Sequence, residues 1–143
     1  MSCIQQGIDL IKKWEKCRLR AFIPVPGDPW TIGWGATGPN IYEGLVWTQD
    51  EADADLQNRV NIIVSQIRTA VKVPMTDGQL AAFIDFCYNE GIHAFQMSTM
   101  LKLFNDGDIK GAYEEFPKWD VAHGQVLQGL LNRREDEQRA YTS

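Results

Sequence analysis

The chain has little that would staple or anchor it. Its three cysteines, Cys3, Cys17 and Cys87, form an odd, widely spaced set with no C-x-x-C pair, so no disulfide framework is expected and the thiols read as reduced and partly buried. Only two histidines are present, His93 and His123, neither at helical spacing from another ligand type, and no metal is expected. The longest apolar run, Leu80 to Ile84, is five residues against the roughly 20 of a membrane-spanning helix. No stable membrane insertion is therefore expected. The stretch Met1-Ser2-Cys3-Ile4-Gln5-Gln6 carries no basic segment followed by an apolar block, so no secretory signal is read there and a cytoplasmic start is expected.

Positive charge is also scarce. Fourteen Lys and Arg against nineteen Asp and Glu give a net charge of −5, which argues against a nucleic-acid binder that relies on bulk charge. The balance is uneven, because residues 1–40 hold five basic groups (Lys12, Lys13, Lys16, Arg18, Arg20) and three acidic ones (Asp9, Glu15, Asp28), a local +2. What remains is ordinary soluble composition: 143 residues, 44% apolar and 23% charged. One domain, 1–143, is expected, monomeric and large enough for a core and a cleft without staples.

Ile4, Ile8 and Ile11 recur at helical intervals, which predicts an amphipathic helix from about Ser2 to Lys16. Glu15 falls on the same apolar face. From Arg18 to Trp47 short β-prone pieces, Ala21-Phe22-Ile23 and Trp30-Thr31-Ile32, alternate with prolines and glycines, as in hairpins of a small sheet. Thr48-Gln49-Asp50-Glu51 has capping-box spacing and opens a helix to about Val71, with Leu56, Val60, Ile63 and Ile67 on one face. Pro74 ends it. A second box, Thr76-Asp77-Gly78-Gln79, leads into a central buried helix closed by Gly91. Shorter helices are expected near Ser98–Phe104 and Asp108–Phe116, and a last one over about Val126–Tyr141. The fold class is α+β: a small β-hairpin lobe, about 18–47, beside a larger helical lobe, with a cleft between them as the place for a substrate.

Glu15 is the first chemical candidate, because a carboxyl on an apolar helix face loses solvation, which favours its protonated form and suits a general acid. An ordinary solvated Glu at a helix end is the plainer alternative. The residues after Glu15 are more specific. Glu15-Lys-Cys-Arg-Leu-Arg-Ala-Phe22 and then Trp30-Thr31-Ile32-Gly33-Trp34-Gly35 resemble the start of the phage lysozymes of glycoside hydrolase family 24, the endolysins. Phe86-Cys-Tyr-Asn89-Glu-Gly91, Ala94-Phe95, Ser98-Thr99-Met-Leu101, Leu103-Phe-Asn105-Asp-Gly107-Asp108, Phe116, Trp119 and Gly129-Leu-Leu-Asn132-Arg133-Arg134-Glu135 resemble further family segments in family order. The likeness runs from Ile4 to Tyr141.

The resemblance implies a lysozyme-like fold and a cofactor-free glycosidase that hydrolyses the β-1,4 bond between N-acetylmuramic acid and N-acetylglucosamine in peptidoglycan, lysing a bacterial host. It implies that Glu15 protonates the glycosidic oxygen and that Arg133 pairs with it, with the adjacent Arg134 as the competing choice. In the family a Glu is followed after eight residues by Asp or Cys and five later by Thr. Here that position is Pro24, and Thr31 comes one place late. Asp28 is the only carboxylate in the loop, so Asp28 is expected to take over the water site, with Thr31 holding the water. A turn role is the alternative for Asp28. Asn89 is expected to bind the sugar acetamido group, or else to serve as a cap near a helix end. Trp34 is expected to line the cleft, while the other tryptophans read as packing. Ala36 stands where the family often has His.

The expected partners are peptidoglycan glycan strands and, for release from the host cytoplasm to the periplasmic face of the wall, a holin. No separate wall-binding module is expected, and the +2 segment is expected to face the anionic wall. Two alternatives stay open. A lytic transglycosylase on the same bond needs one acidic residue and fits the missing carboxylate at position 24, whereas a non-catalytic peptidoglycan-binding module needs none.

Overall fold

The computed structural model of the chain describes residues 3–122 and 124–143; the expected helix start at Ser2 and the imidazole of His123 lie outside them. In chain order the elements are α1 (Cys3–Trp14), β1 (Arg18–Phe22), β2 (Thr31–Gly33), α2 (Gln49–Ala70), α3 (Asp77–Glu90), α4 (Ile92–Gln96), α5 (Thr99–Asn105), α6 (Ile109–Glu115), a 3-10 turn (Phe116–Lys118), β3 (Val121–Ala122), β4 (Gln125–Val126) and α7 (Gln128–Tyr141).

Both capping boxes form. Thr48 accepts from the Glu51 N–H while Glu51 accepts from the Thr48 N–H, and Thr76 and Gln79 exchange the same pair of bonds. Each satisfies two of the N–H groups that a helix start leaves unpaired. Along α2 the side chains of Leu56, Val60, Val64 and Ile67 are buried, as the helical period requires, and Ile63 is half-buried at the edge of the stripe.

Helix α3 is the axis of the larger lobe, buried without a break from Gly78 to Cys87. Phe83 lies at its centre, with the rings of Phe95, Phe104, Phe116 and Tyr141 around it at centroid distances of 4.9, 5.0, 6.2 and 6.0 Å. Rings at these separations add to the apolar burial that holds α4, α5, the 3-10 turn and α7 to α3. Helix α1 lies against α3 so closely that a Cβ on Gly7 would stand 2.8 Å from Ile84. That approach requires glycine.

The smaller lobe is the antiparallel pair β1–β2, in which Arg18 faces Gly33 and Phe22 faces Thr31 across a bulge. The returning segment lies along the other edge of β1, with Ala21 N–H donating to Leu45 O at 2.9 Å and Trp47 N–H to Leu19 O at 2.8 Å. Ala21, Ile32 and Ala36 form its small core under Trp30, Ile41, Leu45 and Trp47.

Three boundaries differ from the sequence reading. The first helix stops at Trp14. Five-residue α4 follows Gly91 where no helix is expected, since so short a piece offers no apolar period to read. The last helix begins at Gln128, because Gln125 and Val126 pair with Val121 and Ala122 in a two-residue hairpin.

Candidate active site

Glu15 stands one residue past α1, its N–H still donating to Ile11 O at 2.8 Å. Its backbone is thus held as a continuation of the helix while its carboxyl leaves the helix face, one quarter exposed (25%). Asp136 fixes this end of α1 to α7. It accepts from Trp14 Nε1 at 3.1 Å and pairs with Lys13 at 2.5 Å and with Arg139 on its own helix. Burial opposes the charge on Asp136, but Lys13 and Arg139 prevail and hold its carboxyl below the usual range.

One turn earlier on α7, Arg133 donates from Nη1 to Glu15 Oε2 at 2.5 Å. Of the two adjacent arginines, Arg133 is therefore the one brought to Glu15. Arg134 points the other way, into the core, where it is fully buried and pairs with Glu137 and Glu90. Arg133 is also gripped from α3, where Asp85 accepts from Nε at 2.9 Å and from Nη2 at 2.8 Å. Burial works against the Arg133 charge, and Asp85 together with Glu15 more than offsets it, so its pKa lies above the ordinary arginine value.

The β lobe approaches Glu15 through the tight turn after β2. Ile32 and Ala36 exchange backbone hydrogen bonds, with Gly33 and Gly35 at φ +63° and +102°. A Cβ on Gly35 would stand 3.3 Å from Glu15 Oε1. Glycine at 35 thus serves both the left-handed backbone and the close approach to the carboxyl. The turn is held from the helical lobe. Tyr88 OH donates to Trp34 O at 2.5 Å, Trp34 Nε1 donates to Asp53 at 2.8 Å, and Lys12 lies over the indole at 5.4 Å. The bond from Trp34 holds the Asp53 carboxyl below its usual range; burial opposes this and Gln49 and Lys12 reinforce it. Burial, with Glu15 nearby, pushes the Tyr88 phenol up, so it remains a donor.

Between the lobes, a groove of about 360 Å³ begins at this turn, lined by Gly35 and Thr37 from the β lobe, Arg59, Ile62 and Ile63 from α2, and Cys87 and Tyr88 from α3. Its Gly35 end is the end that faces Glu15.

The other expected residues are placed as follows. Asp28 is exposed in the loop between β1 and β2. Its backbone N–H closes a turn on Val25 O at 2.9 Å, with Gly27 at φ +95°. The turn uses the Asp28 backbone and no hydrogen bond of its carboxylate. Thr31, opposite Phe22, is buried and donates its hydroxyl to Pro29 O at 3.0 Å, leaving its oxygen to accept. Asn89, in the last turn of α3, has a buried Oδ1 without a hydrogen-bond partner among the described residues.

Asp85, Glu137 and Tyr88 were not among the expected site residues. Asp85 had a readable signal, being the one charge in the otherwise apolar stretch Leu80–Cys87; a charge on a buried helix needs a partner. Glu137 lies in the polar run Arg133–Arg139, where nothing in the sequence marks it as buried.

A two-lobed α+β chain with a lone carboxyl at the end of its first helix, held by an arginine from its last, has the architecture of a lysozyme. Residues 12–137 match the phage lysozyme family, and the chain belongs to it. It is 38% identical over 147 residues to the endolysin of Acyrthosiphon pisum secondary endosymbiont phage 1, covering 100% of this chain and 99% of that protein. It is also 38% identical over 144 residues to the endolysin of Bacillus phage PZA, covering 100% of this chain and 56% of that protein. The chain thus spans a little over half the length of the Bacillus phage relatives. Among solved structures, the muramidase domain of SpmX from Asticaccaulis excentricus superposes with a TM-score of 0.87 at 34% identity, over 96% of this chain and 95% of that one.

Proposed function

We propose that the chain is a glycosidase that hydrolyses the β-1,4 bond between N-acetylmuramic acid and N-acetylglucosamine in peptidoglycan, with Glu15 as general acid. The observation that carries this reading is the state of the Glu15 carboxyl. Oε2 is held by Arg133, while Oε1 faces Gly35 at the mouth of the interlobe groove. One oxygen is anchored, and we assign the other to giving a proton to a glycosidic oxygen.

Departure of the leaving sugar leaves an oxocarbenium-like carbon that a water must attack from the opposite face. An inverting enzyme needs a second carboxylate for that water, roughly 6.5–9.5 Å from the acid. Asp28 is the carboxylate we assign to this role, because its side chain has no hydrogen-bond or ion-pair partner among the described residues and the turn does not consume it. Thr31, with its proton on Pro29 O, has lone pairs left to accept from the same water. For Asn89, the unpartnered Oδ1 favours contact with a sugar amide N–H over a capping role. Trp34 serves the site by fixing the turn over Glu15, since Asp53 and Lys12 already occupy its indole. Catalysis needs no cofactor in this scheme, and residues 1–143 act as one catalytic domain, a monomer.

The lytic role follows from the substrate. The chain reaches the wall from the host cytoplasm, with a holin opening the way. Induced cells carrying the chain alone are expected to stay intact and to lyse when a holin is co-expressed; lysis without one would overturn that route. The activity itself is tested by turbidity clearing of permeabilised Gram-negative cells. Wild type is expected to clear them and Glu15→Gln is not, whereas equal clearing by both would refute the assignment of Glu15. Equal inertness with equal binding to sacculi would instead support a binding module.

A further inference from the structure

Arg133 presents five N–H donors in a rigid fork. Asp85 takes two of them side by side, at 2.9 and 2.8 Å, whereas Glu15 takes one end-on at 2.5 Å. The bidentate partner is the fully buried carboxylate, and the candidate acid is the partly exposed one. Geometry of this kind is the stronger form of arginine recognition and fixes orientation as well as charge. Arg133 therefore belongs first to Asp85.

Behind Asp85 lies Glu137, also fully buried, which accepts from Arg134 Nη2 at 2.8 Å. Four carboxyl groups, Glu15, Asp85, Glu90 and Glu137, thus face two guanidiniums, Arg133 and Arg134. Among the described residues, Cys87 and Tyr88 on α3 also interact electrostatically with Glu137 and Glu15, with Arg59 and Asp55 of α2 acting on Tyr88. Burial first, then Asp85, pushes the Glu137 carboxyl up.

We propose that Asp85 is a positioning residue for Glu15: its two-point grip fixes where the Arg133 guanidinium stands and offsets its charge, so that Glu15 is held in place. This rests on the reading of Glu15 as the general acid. Without the Asp85 charge, the full positive charge of Arg133 would face Glu15 and stabilise the form that has no proton to give.

The test is the pH dependence of kcat on soluble peptidoglycan fragments for wild type, Asp85→Asn, Asp85→Ser and Asp85→Glu, with thermal melts to find a temperature at which each is folded. Asp85→Asn keeps the shape and loses the charge, and Asp85→Ser loses both. In these two variants the alkaline limb of kcat is expected to move down by about one pH unit or more, as removal of a charge partner at this range does. On that limb kcat falls about tenfold at fixed pH, with KM changed less than about twofold. Asp85→Glu, which keeps the charge, is expected to return the limb toward wild type. A uniform fall of kcat at all pH values with the limb unmoved, or a rise in KM alone, would overturn the proposal and leave Asp85 a packing residue. Wild type that releases no sugar ends, or Glu15→Gln that releases them as fast as wild type, would defeat the reading of Glu15 instead.

Discussion

Arg133 and Glu15 meet across 118 residues of chain at 2.5 Å, and neither is placed by its local sequence. Glu15 is carried by the end of α1, which Asp136 pins to α7 through Trp14 and Lys13. Arg133 is carried by α7, which packs on α3 through Tyr141 and the ring of Phe83. The position of the Glu15 carboxyl is therefore a consequence of how α1 and α7 pack on α3.

Because Arg133 is buried between two carboxylates, Arg133→Ala strands Asp85 as an uncompensated charge. We predict a loss of about 3–5 kcal/mol of unfolding free energy, the usual effect of removing one partner of a buried pair. Urea denaturation checks it, and a loss under about 1 kcal/mol, the range of surface pairs, would mean that the pair does not organise the site.

Gly35 and Gly44 both have positive φ, +102° and +89°, but only at Gly35 would a Cβ meet Glu15. Alanine at either position is expected to lose about 1–2 kcal/mol from the backbone. Gly35→Ala should in addition lose most turnover, and Gly44→Ala should keep it. Equal activities in the two variants, compared at matched fractions folded, would show that the approach of the turn to Glu15 does not matter.

Asp28→Asn removes an exposed carboxylate with no partner among the described residues, so the melting curve should be unchanged, as for most surface changes. If Asp28 activates the water, kcat falls by about 10²–10⁴. Near-normal turnover would return Asp28 to a turn role.

The two lobes were legible because their signals are local. Thr48/Glu51 and Thr76/Gln79 mark helix starts within four residues, and the Pro- and Gly-rich stretch after Arg18 excludes helix. Glu15 was legible as a carboxyl on an apolar face, and its contact with Arg133 through family resemblance. What stayed hidden is the layer behind them. Asp85 reaches Arg133 over 48 residues, and the burial of Glu137 depends on α7 packing against α3. Charge pairing across elements is a property of tertiary packing, which spacing along one helix does not carry.

Glu137 gives the protein a pH signature of its own. Its carboxyl is raised in the folded state, by burial and then by Asp85, above the value of 4.5 it has when unfolded. A group shifted in that direction stabilises the fold fully below about pH 4.5, and its contribution is lost as pH rises toward the folded value. Glu137→Gln, which does not titrate, should therefore gain stability relative to wild type as pH rises from 4 to 8. Melting curves at the two ends of that range decide it, and a difference that shrinks with pH would mean that Glu137 is ionised in the fold.

Hydrolysis with Glu15 as the acid is tested most sharply by mass spectrometry of peptidoglycan digested by wild type and by Glu15→Gln. Wild type is expected to leave fragments ending in reducing N-acetylmuramic acid and Glu15→Gln to leave none; 1,6-anhydro muramic ends, or reducing ends at equal yield from both proteins, would contradict that role.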